Sequence, residues 1–149
     1  MTTVRHGALP LWSELGNGRL YLSWCAECDR YLALGTGVCQ SCGGLTDRWL
    51  PASGRGTVWS YSIVRRAFVP SAPWAPPYVV GLVELAEGPK VPGAIVGLDE
   101  GQIMVGLPVR LVGGIDGSGD PILAFEEDRG ASTESDCHRM CASPEPEAP

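Results

Sequence analysis

Four cysteines arranged as two Cys-x-x-Cys pairs limit the folds that this chain can adopt. Cys25 pairs with Cys28 and Cys39 with Cys42, and ten residues separate the two pairs. A two-residue gap lets both sulfurs of a tight turn point at one ion, and four thiolates fill the tetrahedral shell of a structural metal site. The spacing therefore predicts one closed metal centre held by all four side chains.

Zinc is the expected ion at this centre, since closed cysteine sites suit zinc or iron. An iron centre of the same geometry and a set of redox dithiols are the alternatives, and colour would distinguish iron from zinc. Because protein atoms take all four positions, water and substrate have no access to the ion. We therefore expect a structural metal and not a catalytic one.

Two further cysteines flank a histidine near the C-terminal end, as Cys137, His138 and Cys141. Three possible ligands fall short of a closed site. The surrounding residues are mostly acidic, small or proline, so ordering them would cost entropy that no apolar burial offsets. We interpret these three residues as part of a solvated tail.

The charge of the chain is unevenly distributed. Of the formal net charge of −6, residues 126–149 contribute seven acids and two arginines, which leaves residues 1–125 with ten acids and nine basic residues. A nearly neutral folded part argues against a nucleic-acid partner. No run approaches the ~20 apolar residues that cross a membrane, and residues 1–6 lack the apolar core of a secretory signal. A cytoplasmic protein is expected, and in a reducing compartment paired cysteines more often hold metal than form disulfides.

Short apolar runs joined by turns predict a mainly β protein, as do the 20 glycines and 13 prolines. Trp59, Tyr61 and Ile63 alternate with serines, which is the period of two of a half-buried strand. Further strands are predicted at residues 78–85, 91–98, 105–112 and 122–125. Five strands in this order suggest an OB-type barrel.

The patterns divide the chain into four parts. We expect an N-terminal helical arm over residues 1–20 with a short helix at 9–15, a zinc ribbon over 21–50, an OB-fold barrel over 51–126 and a disordered acidic tail over 127–149. The predicted fold class is mainly β, with a short N-terminal helix and a zinc ribbon followed by a five-stranded OB-fold barrel.

Familiar catalytic motifs are missing from the sequence. Once the metal holds its four thiolates, His6 is the only histidine ahead of the tail, so no Cys/His pair or Ser/His/Asp triad can be assembled. Neither a Gly-x-Gly-x-x-Gly motif nor a Walker loop is present. We expect no activity from the chain alone. Catalysis through carboxylates such as Glu84, Asp99 or Glu100 is the alternative, because fold alone does not forbid activity.

Several short motifs in fixed order resemble the acyl-CoA-associated family called domain of unknown function 35. They are Leu11-Trp12, Gly18-Arg19-Leu20, the two cysteine pairs, Gly54-Arg-Gly-Thr-Val58, Tyr78-Val-Val80 and Val105-Gly-Leu-Pro-Val109. The resemblance covers about residues 9–126 and implies a rubredoxin-like zinc ribbon followed by an OB fold. The chain departs from the family pattern at Asp29, where glycine is usual, and at Gly35-Thr36-Gly37, where a Pro-Arg segment is usual.

Members of this family commonly accompany thiolase-like enzymes. The resemblance therefore implies a non-catalytic accessory subunit, in a hetero-oligomer built on a dimer of the partner, that stabilises the partner and helps form a passage for acyl-CoA. It favours the steroid side-chain aldolase, in which retro-aldol cleavage releases a ketosteroid and propionyl-CoA. An acetoacetyl-CoA thiolase and an acyltransferase are alternative partners. A nucleic-acid-binding module is the other alternative, since zinc ribbons and OB barrels both serve that role.

Basic residues near the ends of the first barrel strand are candidate contacts to acyl-CoA. Arg65 and Arg66 follow this strand and are the candidates for CoA phosphates, with Arg55 behind them. Solvation at a strand end is the alternative reading of all three.

Aromatic residues outside the strands are candidate contacts to substrate or partner. Phe68 and Trp74 lie on a proline-rich connection, which can present them to substrate at low entropic cost. Trp74 is also a candidate partner contact, together with Leu11 and Trp12 of the N-terminal arm. Capping of the barrel mouth by the loop and burial of the helix stripe are the structural alternatives.

Overall fold

A computed structural model of the chain describes residues 14–33, 37–46, 48–66, 74–114, 119 and 121–130. These residues form eight strands: β1 Leu20–Cys25, β2 Arg30–Tyr31, β3 Arg48–Ala52, β4 Arg55–Val64, β5 Tyr78–Leu85, β6 Lys90–Val96, β7 Pro108–Leu111 and β8 Ala124–Glu127. The described residues include no helix with the length and apolar character of a membrane span.

The first three strands form a small antiparallel sheet in the order β2-β1-β3, which we call the ribbon sheet. β1 is central and pairs with β3 from Leu20 opposite Ala52 to Trp24 opposite Arg48. The hydroxyl of Tyr31 in β2 donates to the carbonyl of Pro51 in β3 at 3.1 Å, so both outer strands are tied together. This sheet leads directly into the cysteine turns.

The other five strands close into a barrel in the order β4-β5-β6-β8-β7. All neighbours are antiparallel except β6 and β8, which run parallel. The arrangement confirms the predicted mainly β fold with a five-stranded, OB-like barrel.

The bounds of individual barrel strands agree with the prediction to different degrees. β5 has the predicted bounds. Strand β7 is shorter than predicted, because Val105 and Gly106 form a turn in which Gly106 has a φ of 86°.

One apolar core joins the barrel to the ribbon sheet. Phe125 of β8 is fully buried, and the same cluster includes Leu20 and Leu22 of β1 and Leu15 ahead of it. Gly93 of β6 is packed against the Phe125 ring, where a Cβ atom would lie 2.7 Å from a ring carbon. The close approach of β6 to this ring therefore requires glycine.

The face of β4 expected from alternation differs in the structure. Trp59 and Tyr61 are both exposed, whereas Val58 is buried. The register with β5 shifts between Val58 and Ser60, so Trp59 occupies a β-bulge. An extra residue in a strand changes the face on which the following side chains lie. Sequence alternation alone could not locate that shift.

The structure describes only part of each end of the chain. The helix predicted over residues 9–15 lies outside the described residues except for Glu14 and Leu15, which are helical. At the other end, β8 continues to Glu127, and Asp128 beyond it is buried. The ordered barrel thus runs past residue 126, where the tail was expected to begin. Residues 131–149 lie outside the described part.

Candidate metal centre

The four predicted cysteines come from two turns that face each other. Cys25 ends β1, and Cys28 lies in the turn between β1 and β2. Cys39 and Cys42 lie in a second turn closed by the bridge between Val38 and Leu45. The sequence prediction of these side chains as one group is confirmed at the level of geometry, because all four sulfurs lie within 4.8 Å of one another.

Local backbone conformation explains how each turn presents two sulfurs. Asp29 has a φ of 50°, in the left-handed region that aspartate tolerates better than most residues. Aspartate is thus one of the few non-glycine residues that can occupy this position. In the second turn, Gly43 has a φ of 74°, and its N–H donates to the Cys39 carbonyl at 2.9 Å.

The spacing of the sulfurs fits a tetrahedral metal ion. The Sγ atoms of Cys25 and Cys42 are 3.6 Å apart, and those of Cys28 and Cys39 are 3.9 Å apart. Zinc–sulfur bonds of about 2.3 Å in tetrahedral geometry place neighbouring sulfurs about 3.8 Å apart. The four side chains could therefore hold a metal ion, and the donor set is compatible with structural zinc.

Backbone groups favour the thiolate form at one position in particular. The N–H groups of Cys42 and Ser41 donate to the Cys39 sulfur and lower the pKa of Cys39 to about 6. Such donors spread the negative charge of a metal-bound thiolate. The neighbouring sulfurs have the opposite effect elsewhere: the Cys42 side chain, followed by burial, raises the pKa of Cys28 to about 12. At Cys25 the Cys28 N–H favours the thiolate, but burial and neighbouring sulfurs outweigh it and raise the pKa.

Burial differs strongly between the ligands. Cys25 and Cys39 are buried with Leu32 in a small separate cluster, Cys28 is half-buried, and Cys42 is exposed. Solvent can therefore reach the centre from the side of Cys42. The Cys42 sulfur accepts the N–H of Gly44 at 3.4 Å.

The three predicted arginine contacts do not form one group. Arg55 begins β4 and Arg65 follows its last residue, so the two lie at opposite ends of a ten-residue strand. Arg65 forms two hydrogen bonds with Glu100, at 3.1 and 2.8 Å. Arg55 lies 3.5 Å from the buried carboxylate of Asp128. Arg55 therefore lies apart from Arg65 and Arg66, and the role of all three in binding CoA phosphates stays a prediction.

Trp74 lies in a shallow groove of about 330 Å³ on the outside of the barrel. Its ring is 6.1 Å from that of Tyr78, and Ile95 and Leu98 also line the groove. Glu100, the partner of Arg65, lines the same groove. The structure thus brings Arg65 and Trp74 to one surface. The other predicted contacts and tail residues lie outside the described residues: Leu11, Trp12, Phe68, Cys137, His138 and Cys141.

Two acidic residues with structural roles were not identified from the sequence. Asp128 accepts the N–H of Gly130 at 3.2 Å besides facing Arg55. Glu87, in the turn after β5, accepts the N–H of Ser53 and so joins that turn to the end of the ribbon sheet. The contacts of Asp128 with Arg55 and of Glu87 with Ser53 join residues so far apart along the chain that no sequence pattern signals either pair.

A family model described as the C-terminal OB-fold domain of ChsH2 matches residues 49–114. A DUF35 domain-containing scaffold protein of Methanothermobacter thermautotrophicus is 34% identical over 93 residues, which are 60% of this chain and 68% of that protein. The 3-oxo-4,17-pregnadiene-20-carboxyl-CoA hydratase alpha subunit of Mycobacterium tuberculosis is 39% identical over 62 residues, 42% of this chain and 19% of that one. This chain spans about a third or less of the length of the hydratase alpha subunits that it matches.

Among solved structures, the chain is similar to one described as the Ltp2-ChsH2(DUF35) aldolase. The TM-score is 0.71 at 26% sequence identity, and the match covers 85% of this chain and 98% of that one. The structural match covers 85% of this chain, whereas the OB-fold match at residues 49–114 covers less than half of it. The structural similarity therefore extends beyond the barrel.

Proposed function

The chain belongs to the family of DUF35 domain-containing proteins, and we propose that it is a non-catalytic accessory subunit of a thiolase-like enzyme acting on acyl-CoA. The observation that carries the proposal is the match to the Ltp2-ChsH2(DUF35) aldolase structure over 98% of that chain. The name of that structure describes a DUF35 component combined with a second component. Relatives named as hydratase alpha subunits and scaffold proteins support the same kind of role.

Within this role, the cysteine centre stabilises the subunit and the partner performs the chemistry. We propose zinc as the ion held by Cys25, Cys28, Cys39 and Cys42, because the sulfur spacing fits bonds of about 2.3 Å. A bound zinc ion would fix the two turns relative to each other. Four sulfurs leave it no position for substrate, so no step of a reaction is assigned to it.

The narrower proposal is that the partner is a retro-aldol lyase cleaving a steroid side-chain CoA thioester. Such cleavage breaks the carbon–carbon bond between the carbinol carbon and the α-carbon of the thioester, and releases a ketosteroid and propionyl-CoA. The hydroxyl proton goes to a base, and the α-carbon takes up a proton. The mycobacterial hydratase subunit is named for a pregnadiene-carboxyl-CoA, and this name supports a steroid substrate class.

On this chain, the groove of Trp74 and Tyr78 is the surface that we propose to border the acyl passage. Aromatic and aliphatic residues line it next to Asp99 and Glu100, and its apolar part suits an acyl group. Arg65 is held at the rim by Glu100, so it would reach a CoA phosphate only by exchanging that partner. Arg55 is paired with Asp128 at the far end of β4 and takes no part in this groove.

Co-expression with the thiolase-like protein encoded nearest to this chain tests the proposal. We expect a stable hetero-oligomer by size-exclusion chromatography with light scattering, and retro-aldol turnover of a steroid side-chain β-hydroxyacyl-CoA by the complex but not by this chain alone. Thiolysis or acyl transfer by the complex would retain the accessory role and replace the aldolase. A partner that elutes separately and acts fully without this chain would contradict the accessory role itself.

A further inference from the structure

Strand β4 has an open edge along its second half. β7 pairs with residues 55–57 of β4, and the backbone of Val58 exchanges hydrogen bonds with Gly106 and Leu107. Beyond that point, no strand in the described part of the chain pairs with the side of β4 that faces away from β5. We call this side, over residues 59–64, the β4 edge.

The β4 edge lacks the features that normally protect a strand edge. Unpaired backbone groups bind other strands unless charges, prolines or a covering element prevent it. Residues 59–64 read Trp-Ser-Tyr-Ser-Ile-Val and contain neither a charge nor a proline. The bulge lies at Trp59, where the edge begins, and Ser60 to Val64 keep a regular register with β5. Six residues extend about 20 Å, which is the length of an ordinary strand.

Large apolar side chains surround the start of this edge. Trp59 is 52% exposed, and Met104 and Val105 in the neighbouring turn are 58% and 64% exposed. The N–H of Gly106 donates to the carbonyl of Val58 at 2.8 Å, which places this turn beside the bulge. Tyr61 is exposed farther along β4. Exposed apolar clusters of this kind mark protein contacts more often than solvated surface.

Charge distinguishes the two ends of the β4 edge. At the Trp59 end, the Lys90 ammonium lies 4.1 Å from the ring centroid of Trp59 and is already paired with Glu84 at 2.9 Å. At the other end, Arg65 and Arg66 follow the last residue of the edge. Glu100 accepts hydrogen bonds from both terminal nitrogens of Arg65, whereas Arg66 is exposed and forms no ion pair within the described residues. A strand lying along this edge would therefore place apolar side chains near Trp59 and would gain from a carboxylate near Arg66.

We propose that the β4 edge binds an extended strand of the partner enzyme subunit, with apolar side chains against Trp59, Met104 and Val105 and a carboxylate against Arg66. This interaction surface rests on the proposed function, because it takes the partner to be a protein subunit. Strand addition satisfies the open backbone groups, and the side chains select the partner. Arg66 then faces the partner and not a CoA phosphate.

Two other occupants fit the chemistry less well. A second copy would bring β4 against β4, and residues 56–64 contain no acid to face Arg66. The chain's own residues 131–149 contain three prolines, four acids and a single β-branched residue, Thr133. Such a segment is a poor strand. The partner subunit is therefore the occupant to which the charges and the apolar cluster point.

Hydrogen exchange on the full chain, alone and in complex with the thiolase-like protein encoded nearest to it, tests the edge directly. We expect amides within residues 60–63 to exchange at least about tenfold more slowly in the complex, since about every second N–H of an edge strand gains a partner. A complex that leaves these amides unprotected overturns the docking surface and leaves the accessory function standing. A wild-type chain that forms no complex overturns both. Protection in a self-dimer of the isolated chain also overturns the surface, because the occupant is then a second copy.

A variant pair gives an independent readout. The double variant W59E/V105D should weaken the affinity for the partner at least about tenfold, as expected for charges introduced into an apolar interface. The matched control is L45D, because Leu45 is an exposed apolar residue on the cysteine turn, at 82% exposure. Both proteins should keep the wild-type circular dichroism, since the replaced side chains are exposed. Equal affinities for W59E/V105D and L45D would overturn the surface.

Discussion

The cysteine turns and the barrel are stabilised by different means within one short chain. Thirteen buried residues form the core that the barrel shares with the ribbon sheet, whereas the cluster under the cysteine turns consists of Cys25, Leu32 and Cys39. Three side chains bury too little apolar surface to fix two loops, since backbone ordering costs about 1–2 kcal/mol per residue. A metal ion would therefore hold the turns, while apolar packing holds the barrel.

This difference predicts its largest effect at a cysteine. C39S should lose the bound zinc and the order of both cysteine turns, because one missing thiolate opens the tetrahedral shell. Structural zinc contributes about 10–16 kcal/mol of apparent binding free energy in small domains. Metal content by mass spectrometry and hydrogen exchange across residues 25–46 measure the loss.

C137S and C141S are the matched controls, because the sequence predicts that neither residue is a ligand. Both should keep one zinc per chain. The barrel amides of C39S should remain protected, since the shared core does not include the sulfurs. Full zinc content in C39S, or complete unfolding of its barrel, would contradict the division between the two regions.

The second prediction concerns the barrel. F125A should lower the free energy of unfolding by about 3–5 kcal/mol, because it removes a fully buried ring from the centre of the core. The ribbon sheet should unfold in the same transition, since Leu20 and Leu22 belong to that core. Urea unfolding monitored by tryptophan fluorescence, with F125L as the milder control, measures both effects. Separate transitions for the sheet and the barrel would contradict the shared core.

The third prediction sharpens the metal side of the comparison through pH. The raised pKa values of Cys25 and Cys28 mean that both thiols are protonated near neutral pH without metal, so both must lose a proton on binding. As pH falls, protons compete with the metal ion for these two sulfurs. The apparent affinity for zinc should therefore drop at least about a hundredfold for each pH unit between 8 and 7. Competition with a zinc-sensitive dye measures it. A drop of less than about tenfold would show that the thiolates are already formed.

The sequence predicted those parts of the molecule in which spacing alone determines geometry. Two pairs of cysteines two residues apart can meet at one ion in few ways, and the sulfurs do lie together. The apolar run at residues 78–85 gave the bounds of β5, because both ends are turns. Local patterns are reliable where the cause is local.

Features that depend on distant residues could not be predicted in this way. The bulge at Trp59 lies where β4 passes from β7 to pairing with β5 alone, and Trp59 and Tyr61 are exposed although alternation predicts that they are half-buried. The pairing of Arg65 with Glu100 joins residues 35 positions apart, and that of Arg55 with Asp128 joins residues farther apart still. Arginines that looked free in the sequence are therefore partly neutralised in the fold.

The fourth prediction returns to the barrel, at a close approach between the backbones of β4 and β5. A Cβ atom on Gly56 would lie 2.3 Å from the carbonyl oxygen of Glu84. G56A should therefore destabilise the barrel by about 1–3 kcal/mol through a forced backbone shift. G101A is the control, because no atom lies within 4 Å of its added Cβ and its φ is not in the left-handed region. Thermal unfolding that does not distinguish the two variants would contradict this close approach.

The smallest expected effect lies at the end of β8, where polar contacts add to the apolar core. Asp128 is buried, faces Arg55 at 3.5 Å and accepts the N–H of Gly130. D128N keeps an oxygen for Gly130 but removes the charge, so it should cost about 0.5–1 kcal/mol because Arg55 is largely exposed. D128A loses both contacts and should cost about 1–3 kcal/mol, while E127Q, whose partner Arg129 is exposed, should change the free energy of unfolding by less than about 0.5 kcal/mol. Urea unfolding ranks the three variants, and zinc affinity should be equal in all of them because the contacts lie in the barrel. A D128A variant as stable as E127Q would mean that the core alone holds β8 in place.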